Sequence, residues 1–333
     1  MTAFTMPTWI EPYRDLITGK ANRAQVSEMV RQLGLPILGL VLFLMVWHVA
    51  AANIDTSLGK FPGPADTWEQ AQNLYAEHVA ERDKADAFYE RQEERIQERL
   101  AVDPDYEVKW RDYTGSPTYL DQIYTSLYTV LCGFILASMI AIPLGIVIGL
   151  SSTVYAAINP LIQVLKPVSP LAWLPLVTMV VSALYTTDDP LFAKSFINSM
   201  ITVSLCCLWP TLLNTAVGVT SVSQDLNNVS RVLRLGWMAH VFKIVLPSAL
   251  PMIFTGLRLS LGIAWMVLIA AEMLDQNPGL GKFVWDEFQN GSSQSLGRIM
   301  VAVLTIGVIG FLLDRTMLGL QRWLVWDKQS VQR

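Results

Sequence analysis

Four charged residues lie in or beside the last two long apolar segments of the chain, where charge is rare. Arg258 and Glu272 are near the ends of the fifth segment, and Arg298 and Asp314 are near the ends of the sixth. A charge within a hydrocarbon layer is costly, and it usually faces another charge or an aqueous path. We therefore predict two ion pairs between antiparallel helices, Glu272 with Arg298 outside and Arg258 with Asp314 inside. The alternative is that one of the arginines lines a path for anions.

Nucleotide chemistry and hydrolysis are not supported by any motif. The stretch Pro278–Lys282, PGLGK, is the one glycine-lysine pairing to compare with a phosphate-binding loop, but Gln276 occupies the place of the first glycine and Phe283 that of the serine or threonine. No Gly-x-Ser-x-Gly or His-Glu-x-x-His motif occurs, and the three histidines and three cysteines show no metal-ligand spacing. We predict no catalytic residue, metal site or cofactor in this chain, and no nucleic-acid partner.

The composition indicates which elements position these charges. Of the 333 residues, 52% are hydrophobic and 16% are charged, which is typical of a protein that crosses a membrane several times. A spanning helix needs about 20 mostly apolar residues. Prolines at four positions predict that the third of six candidate segments is broken or kinked. The predicted segments are Leu33–Ala52, Ile123–Leu150, Tyr155–Tyr185, Leu191–Gly218, Ile253–Leu274 and Ile299–Trp323.

Basic residues flank the first and last segments, and such residues favour the cytoplasmic side. This predicts an all-α integral membrane protein whose N-terminal segment 1–32 and tail 324–333 are cytoplasmic. The loop Ser221–Pro251 is then inside, whereas the turn Thr186–Pro190 and the loop Asp275–Gly297 are outside. Lys166 is interpreted as a positive-inside anchor, with attraction of anions at an inner mouth as the alternative.

An acidic insert, residues 53–120, follows the first predicted span. Pro64, Asp66 and Glu69 form a start signal for a helix that we expect to reach about Leu100. Its charge pattern is typical of a solvated rod that spaces or shields the membrane part. The alternative is a docking site for a partner outside the membrane, because apolar residues such as Trp68 and Phe88 interrupt the charges.

The loop Ser221–Pro251 resembles the cytoplasmic signature of binding-protein-dependent ABC importer permeases. Gly236 and the run Ile244–Pro247 match that signature. Ser230, Arg231 and Val232 occupy the positions of its Glu-Ala-Ala, and seven residues separate Gly236 from Ile244 where the general pattern has nine. The resemblance implies that an ATPase contacts Ser230, Arg231, Val232, Gly236, Ile244, Leu246 and Pro247.

The resemblance extends over residues 61–315 and includes the stretches IPLGIVIGLS, PSALPMIFTGLRLSLGIAWMVLIAAEML and NPGLGKFVWDEFQNGS. These are similar to the nitrate, bicarbonate, cyanate and sulfonate branch of such permeases, and most similar to the nitrate permeases. The resemblance implies a type I ABC importer permease fold with six transmembrane helices, in which residues 121–323 form a five-helix core. It also implies a place in the bacterial inner membrane.

The same resemblance implies the partners and the activity. A second copy would complete a homodimer, two cytoplasmic ATPase subunits would bind ATP and Mg²⁺, and a periplasmic protein would deliver the substrate. Nitrate or nitrite is the expected substrate, and bicarbonate, cyanate, and a sulfonate such as taurine are the alternatives. Gly236 would permit a close approach or a turn, although a simple helix break is the alternative, and Pro247 would end the loop before the fifth span. A stand-alone anion carrier and a scaffold without transport remain rival classes.

Overall fold

The computed structural model describes residue 31 and residues 34–56, 59–103, 106–186 and 191–324. The predicted N-terminal segment 1–32, the predicted tail 324–333 and the turn Thr186–Pro190 lie almost entirely outside these residues. The chain divides into two compact units, residues 1–69 and 70–333, which are described in turn.

The first unit contains a helix, a small hairpin and the start of a second helix. Helix α1 spans Leu35–Ala52, and strands β1, Asp55–Thr56, and β2, Gly59–Lys60, pair antiparallel. Helix α2 spans Pro64–Val102 and continues into the second unit. The Gly63 N–H donates to Asp66 Oδ2 at 2.9 Å just before the helix begins, which satisfies one of the free donors at its N-terminus. The helix predicted for the insert is therefore present, with its start at the predicted proline.

The second unit is helical throughout its regular structure. Its elements are α3 (Tyr119–Leu150), α4 (Ser152–Leu165), α5 (Pro170–Leu184), α6 (Lys194–Thr220), α7 (Gln224–Val232), α8 (Trp237–His240), a π-helical turn (Val241–Val245), α9 (Leu246–Asp275), α10 (Leu280–Asn290) and α11 (Ser295–Leu324). We call the end of the bundle that carries α7 and α8 the α7 side, and the end that carries α10 the α10 side.

Five helices in the described ranges are long and apolar enough to cross a membrane, and the count is six if α4 and α5 together form one span. These two helices are bent by 100° relative to each other at the short break between them. Pro167 has no N–H with which to continue α4, and Pro170 starts α5 after Ser169, whose Oγ accepts from the Leu171 N–H at 3.2 Å. The predicted break in the third segment is confirmed.

The fifth predicted segment is longer than the sequence indicated. Helical structure runs without interruption from Trp237 to Asp275, a length of 39 residues, so the loop does not continue to residue 251 and Pro247 does not end it. Pro247 lies in the first turn of α9, where a missing N–H is tolerated. The π-helical turn immediately before it widens the hydrogen-bond pattern, and the Leu246 N–H donates to the Val241 carbonyl five residues back.

Helices α3, α6 and α9 pack tightly because small residues line their contacts. A Cβ added at Gly133, Gly145 or Gly149 of α3 would lie 2.7 to 2.9 Å from a backbone carbonyl of α6. Small residues four apart permit this close approach of membrane helices. Hydroxyl groups add bonds between the same helices, since Ser204 Oγ of α6 donates to the Gly133 carbonyl at 2.8 Å and Ser260 Oγ of α9 donates to the Cys207 carbonyl at 2.5 Å.

The part of α2 that belongs to the second unit is attached to the helical core. Leu74 is buried in the largest apolar cluster, and His78 Nδ1 lies 2.7 Å from Thr118 Oγ1. The Tyr113 hydroxyl donates to Glu81 at 2.8 Å, and this bond, together with Lys84, lowers the pKa of the Glu81 carboxyl. This part of α2 therefore packs against the helical core and is not a free rod.

Candidate functional site

The loop on the α7 side folds into two short helices joined by a tight turn. Ser223 caps α7 by accepting from the Leu226 N–H, and α7 ends at Val232. Within this turn, Arg234 has a positive φ of 47°. Ser230 is buried and its Oγ lies 2.9 Å from His240 Nδ1, so the serine in place of the signature glutamate joins α7 to α8.

Among the described residues, no contact or backbone angle requires a glycine at position 236. Its φ is −65°, and a Cβ added there would meet nothing within 4 Å. Gly236 lies in the break between α7 and α8 as the N-cap residue of α8, whereas the positive φ of this connection is at Arg234. Among the described residues nothing lies within 4 Å of a Cβ at Gly236, so a close approach on that side would have to involve another molecule.

An apolar surface surrounds Gly236, and we call it the loop surface. It consists of Val232, Leu233, Trp237, Met238 and Phe242, whose exposed fractions range from 59% to 81%. Arg231, Arg234 and Lys243 lie on the same segment and are also exposed. Exposed apolar residues beside positive charges are typical of a surface that binds another protein.

The remaining predicted loop residues are less accessible. Ile244 is buried, and the apolar cluster next to it joins Val241, Val245 and Ala249 to α3 and α6. Leu246 is partly buried, and Pro247 is exposed in the first turn of α9. The predicted residues therefore differ in accessibility, because Ile244 is buried whereas Arg231, Val232 and Gly236 are exposed on the loop.

The ion pair predicted near the α7 side is present in the structure. Arg258 Nε donates to Asp314 Oδ1, and Arg258 Nη2 donates to Asp314 Oδ2 at 3.0 Å. This bidentate arrangement joins α9 to α11 and is among the stronger charge-assisted contacts. Both side chains are partly exposed.

The pair predicted for the α10 side does not form. Glu272 is fully buried, and its oxygens accept from Ser126 Oγ at 2.9 and 2.8 Å and from the Gly281 N–H at 3.0 Å. Arg298 instead binds Glu287 at 2.9 Å and Glu77. The prediction was wrong because α10 lies between the two spans and supplies its own partner to each charge.

Glu272 caps α10 from a different helix. The N-cap position of α10 is Gly279, which has no side chain to satisfy the first N–H groups. Glu272 accepts from the Gly281 N–H, and Ser126 Oγ accepts from the Leu280 N–H at 2.8 Å. A carboxylate is favoured at a helix N-terminus, which helps to stabilise this buried charge. The structure thus assigns Glu272 and Ser126 to the junction of α3, α9 and α10.

Sequence reasoning missed Ser126 and Gly281 as partners of Glu272. The sequence does contain one signal, since the turn Asn277–Gly281 follows Glu272 closely enough to fold back over it. The glycines of that turn are required for contact, because a Cβ at Gly279 or Gly281 would collide with Glu272 or with the Ile269 carbonyl. Ser126 is distant in sequence and gives no such signal.

Metal and nucleotide sites are not indicated by the geometry. The described residues contain no group of three or more His, Cys, Asp or Glu side chains that is arranged to hold a metal ion. The PGLGK stretch forms the turn and the first residues of α10, where its backbone N–H groups already bind Ser126 and Glu272. In the described structure, this stretch therefore serves to join helices.

Comparisons with known proteins agree with this architecture. Residues 141–325, more than half of the chain, match the family described as binding-protein-dependent transport system inner membrane component. The chain is 34% identical over 293 residues to the bicarbonate transport system permease protein of Synechococcus elongatus, and this alignment covers 87% of the chain and 89% of that relative. It is 39% identical over 209 residues to the nitrate import permease protein of Synechocystis, and that alignment covers 63% of the chain and 71% of the relative.

A solved structure shows the same fold at low sequence identity. A chain of the MetNI methionine ABC transporter, in an inward-facing conformation, matches with a TM-score of 0.53 and 12% identity. The match covers 62% of this chain and 95% of that one. The predicted all-α permease fold of a type I ABC importer is confirmed by this match and by the helices described above. The chain belongs to the family of binding-protein-dependent transport system inner membrane components.

Proposed function

We propose that this chain is the transmembrane permease subunit of an ATP-driven importer for a small oxyanion, with nitrate as the first candidate. Two copies would form the membrane part, two cytoplasmic ATPase subunits would bind ATP and Mg²⁺, and a periplasmic binding protein would deliver the anion. The chain would act in the bacterial inner membrane with both termini in the cytoplasm. It would not hydrolyse ATP by itself.

The observation that carries this proposal is the loop surface around Gly236. The surface is apolar and exposed, it lies at and just before the start of a 39-residue helix, and a Cβ at its glycine would meet nothing within 4 Å among the described residues. A soluble subunit that grips this surface can turn ATP-driven closure into a rigid-body movement of α9 and its neighbours. The Ser230–His240 contact and the packing of Val241 and Val245 against α3 and α6 would keep the surface fixed to the bundle during that movement.

The nature of the substrate is supported by relatives and not by a bound ligand. Identity is higher to the nitrate permease, 39%, whereas the match to the bicarbonate permease spans more of this chain, 87% against 63%. Both substrates are small planar anions of similar size and charge. We place nitrate first, as the sequence motifs do, and keep bicarbonate as the second candidate because its alignment extends over a larger part of the chain.

Reconstitution in proteoliposomes tests the proposal. The permease would be assembled with its ATPase and its binding protein, and uptake of labelled nitrate would be measured with and without each component. We expect uptake only when ATP and all subunits are present. Uptake by this chain alone would identify a stand-alone carrier, and assembly without any uptake would identify a scaffold.

ATP hydrolysis by the complete complex tests the substrate. Nitrate, nitrite, bicarbonate, cyanate and taurine would be added separately with the binding protein present. Stimulation by nitrate would support the first candidate. Stimulation by bicarbonate with none by nitrate would replace it with the second.

A further inference from the structure

A second acidic residue, Asp275, lies at the α10 side of the bundle without an ion pair. Asn198 of α6 donates its Nδ2–H to Asp275 Oδ1 of α9 at 3.0 Å. The other two atoms of these groups, Asn198 Oδ1 and Asp275 Oδ2, are shielded from solvent and have no hydrogen-bond partner among the described residues. An ionised carboxylate and an amide carbonyl are both acceptors, so one further donor would satisfy the pair.

Glu272, one turn earlier on α9, does not lack a hydrogen-bond donor in this way. Both oxygens of Glu272 accept from Ser126, and one also accepts from the Gly281 N–H. The ionised form of Glu272 is therefore hydrogen-bonded at each oxygen. Asp275 receives one bond from Asn198 and has an unpartnered oxygen that is also buried, which is unfavourable for a carboxylate.

Charged neighbours do not supply the missing donor. Within the described part of the chain, Asp275 forms no ion pair with a residue of any helix packed against it. Asp188 and Asp189, between α5 and α6, lie outside the described residues. Helix α5 contains no acidic or basic side chain. The titratable groups nearest this end of the packed helices are Glu272 on α9, Lys194 on α6, Asp121, Tyr124, Tyr128 and Cys132 on α3, Lys282, Asp286 and Glu287 on α10, and Arg298 on α11.

We propose that Asp275 is a proton-binding site, and that in the folded permease its protonated Oδ2 donates to Asn198 Oδ1. The amide and the carboxylic acid then form a cyclic pair with two hydrogen bonds, which joins α9 to α6. One proton satisfies both unpartnered atoms. The cyclic pair is lost when Asp275 ionises, because Oδ2 then presents an acceptor to an acceptor.

The proposal predicts the direction in which the stability of the folded protein changes with pH. The folded protein holds a proton on Asp275 that the unfolded chain releases more easily, so stability is greatest at low pH and falls as the pH rises through the titration of the folded state. The proposal does not depend on which anion is carried or on the ATPase. It can therefore fail or succeed independently of the proposed function.

Thermal unfolding of the purified full chain, measured between about pH 5 and pH 8, tests the proposal. In Asp275→Asn, a second amide N–H replaces the carboxylic O–H, so both bonds form without a proton. We expect the unfolding midpoint of wild type to fall by a few degrees as the pH rises. The midpoint of Asp275→Asn should not show this fall. Asp286→Asn is the matched control, because it removes one exposed carboxylate on α10, together with its ion pair to Lys282, and should retain the wild-type slope.

Equal slopes in wild type and Asp275→Asn would overturn the proposal. A midpoint that rises with sodium chloride but not with choline chloride at fixed pH, in wild type and not in Asp275→Asn, would also overturn it, because a metal cation would then fill the gap. Infrared spectroscopy gives a direct measurement. The carbonyl band of protonated carboxylic acids should lose intensity in Asp275→Asn relative to wild type, and Glu272→Gln should retain the Asp275 contribution. An unchanged band in Asp275→Asn would exclude Asp275 as a source.

Discussion

At the scale of single residues, the charges in the membrane helices stabilise contacts between helices. Glu272 illustrates this most clearly, because it is fully buried and binds a hydroxyl of α3 and an N–H of α10. Its neighbour in the predicted pair, Arg298, has two carboxylate partners of its own. A buried carboxylate of this kind is costly to disturb, since its removal leaves donors without acceptors.

Glu272→Ala should therefore destabilise the permease strongly. The Gly281 N–H would lose its acceptor and Ser126 would lose its carboxylate partner, and we expect the free energy of unfolding to fall by about 3 kcal/mol. Chemical or thermal unfolding of the purified chain measures this. Glu90→Ala, an exposed change on α2, is the control and should have little effect. Equal stability of the two variants would contradict the capping role of Glu272.

Arg258 and Asp314 provide a second prediction at this scale. Neutralising either one should cost about 1 kcal/mol, because the pair is bidentate but partly exposed. Exchange of the two charges, Arg258→Asp with Asp314→Arg, should recover most of the lost stability. If stability returns while anion uptake stays low, Arg258 acts on the anion path as well.

These residues also show what the sequence could and could not predict. The Arg258–Asp314 pair was predictable, because both residues lie near the same end of two antiparallel helices that follow each other in the chain. The contact of Glu272 with Ser126 was not, because Ser126 lies 146 residues away in sequence. Periodicity indicates which residues share a face of one helix, but it contains no information on which distant helix faces them.

At the scale of elements, close packing of α3 against α6 depends on the absence of side chains at a few positions. Gly145 and Gly149 of α3 lie against the Leu212 and Ala216 carbonyls of α6, and a Cβ would lie within 2.8 Å of these atoms. The spacing of four residues between them is visible in the sequence and is a known signal for close helix contact. The partner helix is not visible there.

Gly145→Ala should push α3 away from α6, and we expect a loss of about 1 to 3 kcal/mol in the free energy of unfolding. Gly307→Ala on α11 is the matched control, since nothing lies within 4 Å of its Cβ. That change should be neutral or slightly stabilising, because alanine favours helix more than glycine does. Thermal unfolding of both variants in the same detergent measures the difference. A smaller loss of stability in Gly145→Ala than in Gly307→Ala would contradict the packing of α3 against α6.

The helix boundaries also include some that the sequence predicts and some that it does not. Prolines at 167 and 170 correctly predicted a break, because no helix continues through both of them in the described structure. Proline 247 suggested another break, but it lies in the first turn of α9 and a π-helical turn precedes it. The effect of a proline depends on whether the preceding turn can adapt, and local sequence does not report this.

At the scale of the whole molecule, Gly236 is expected to matter only in the assembled transporter. Gly236→Leu should leave the stability of the isolated chain within about 0.5 kcal/mol, because a Cβ at this position meets nothing within 4 Å and φ is already ordinary. The same change should weaken association with the ATPase, which pull-down and ATP-driven uptake measure. A variant that associates normally and transports normally would contradict the proposed role of the loop surface. Gly262→Leu on α9, also without neighbours at its Cβ, is the control.

The unbroken helix from Trp237 to Asp275 has a mechanical consequence. At about 1.5 Å per residue this helix is nearly 60 Å long. Hydrogen bonds of Ser260 with Thr211 and with the Cys207 carbonyl join it to α6. If Ser260 acts as the fulcrum, the arm toward Trp237 is about 34 Å and the arm toward Asp275 about 22 Å. A displacement at the loop surface would then move the Asp275 end in the opposite direction by about two thirds as much.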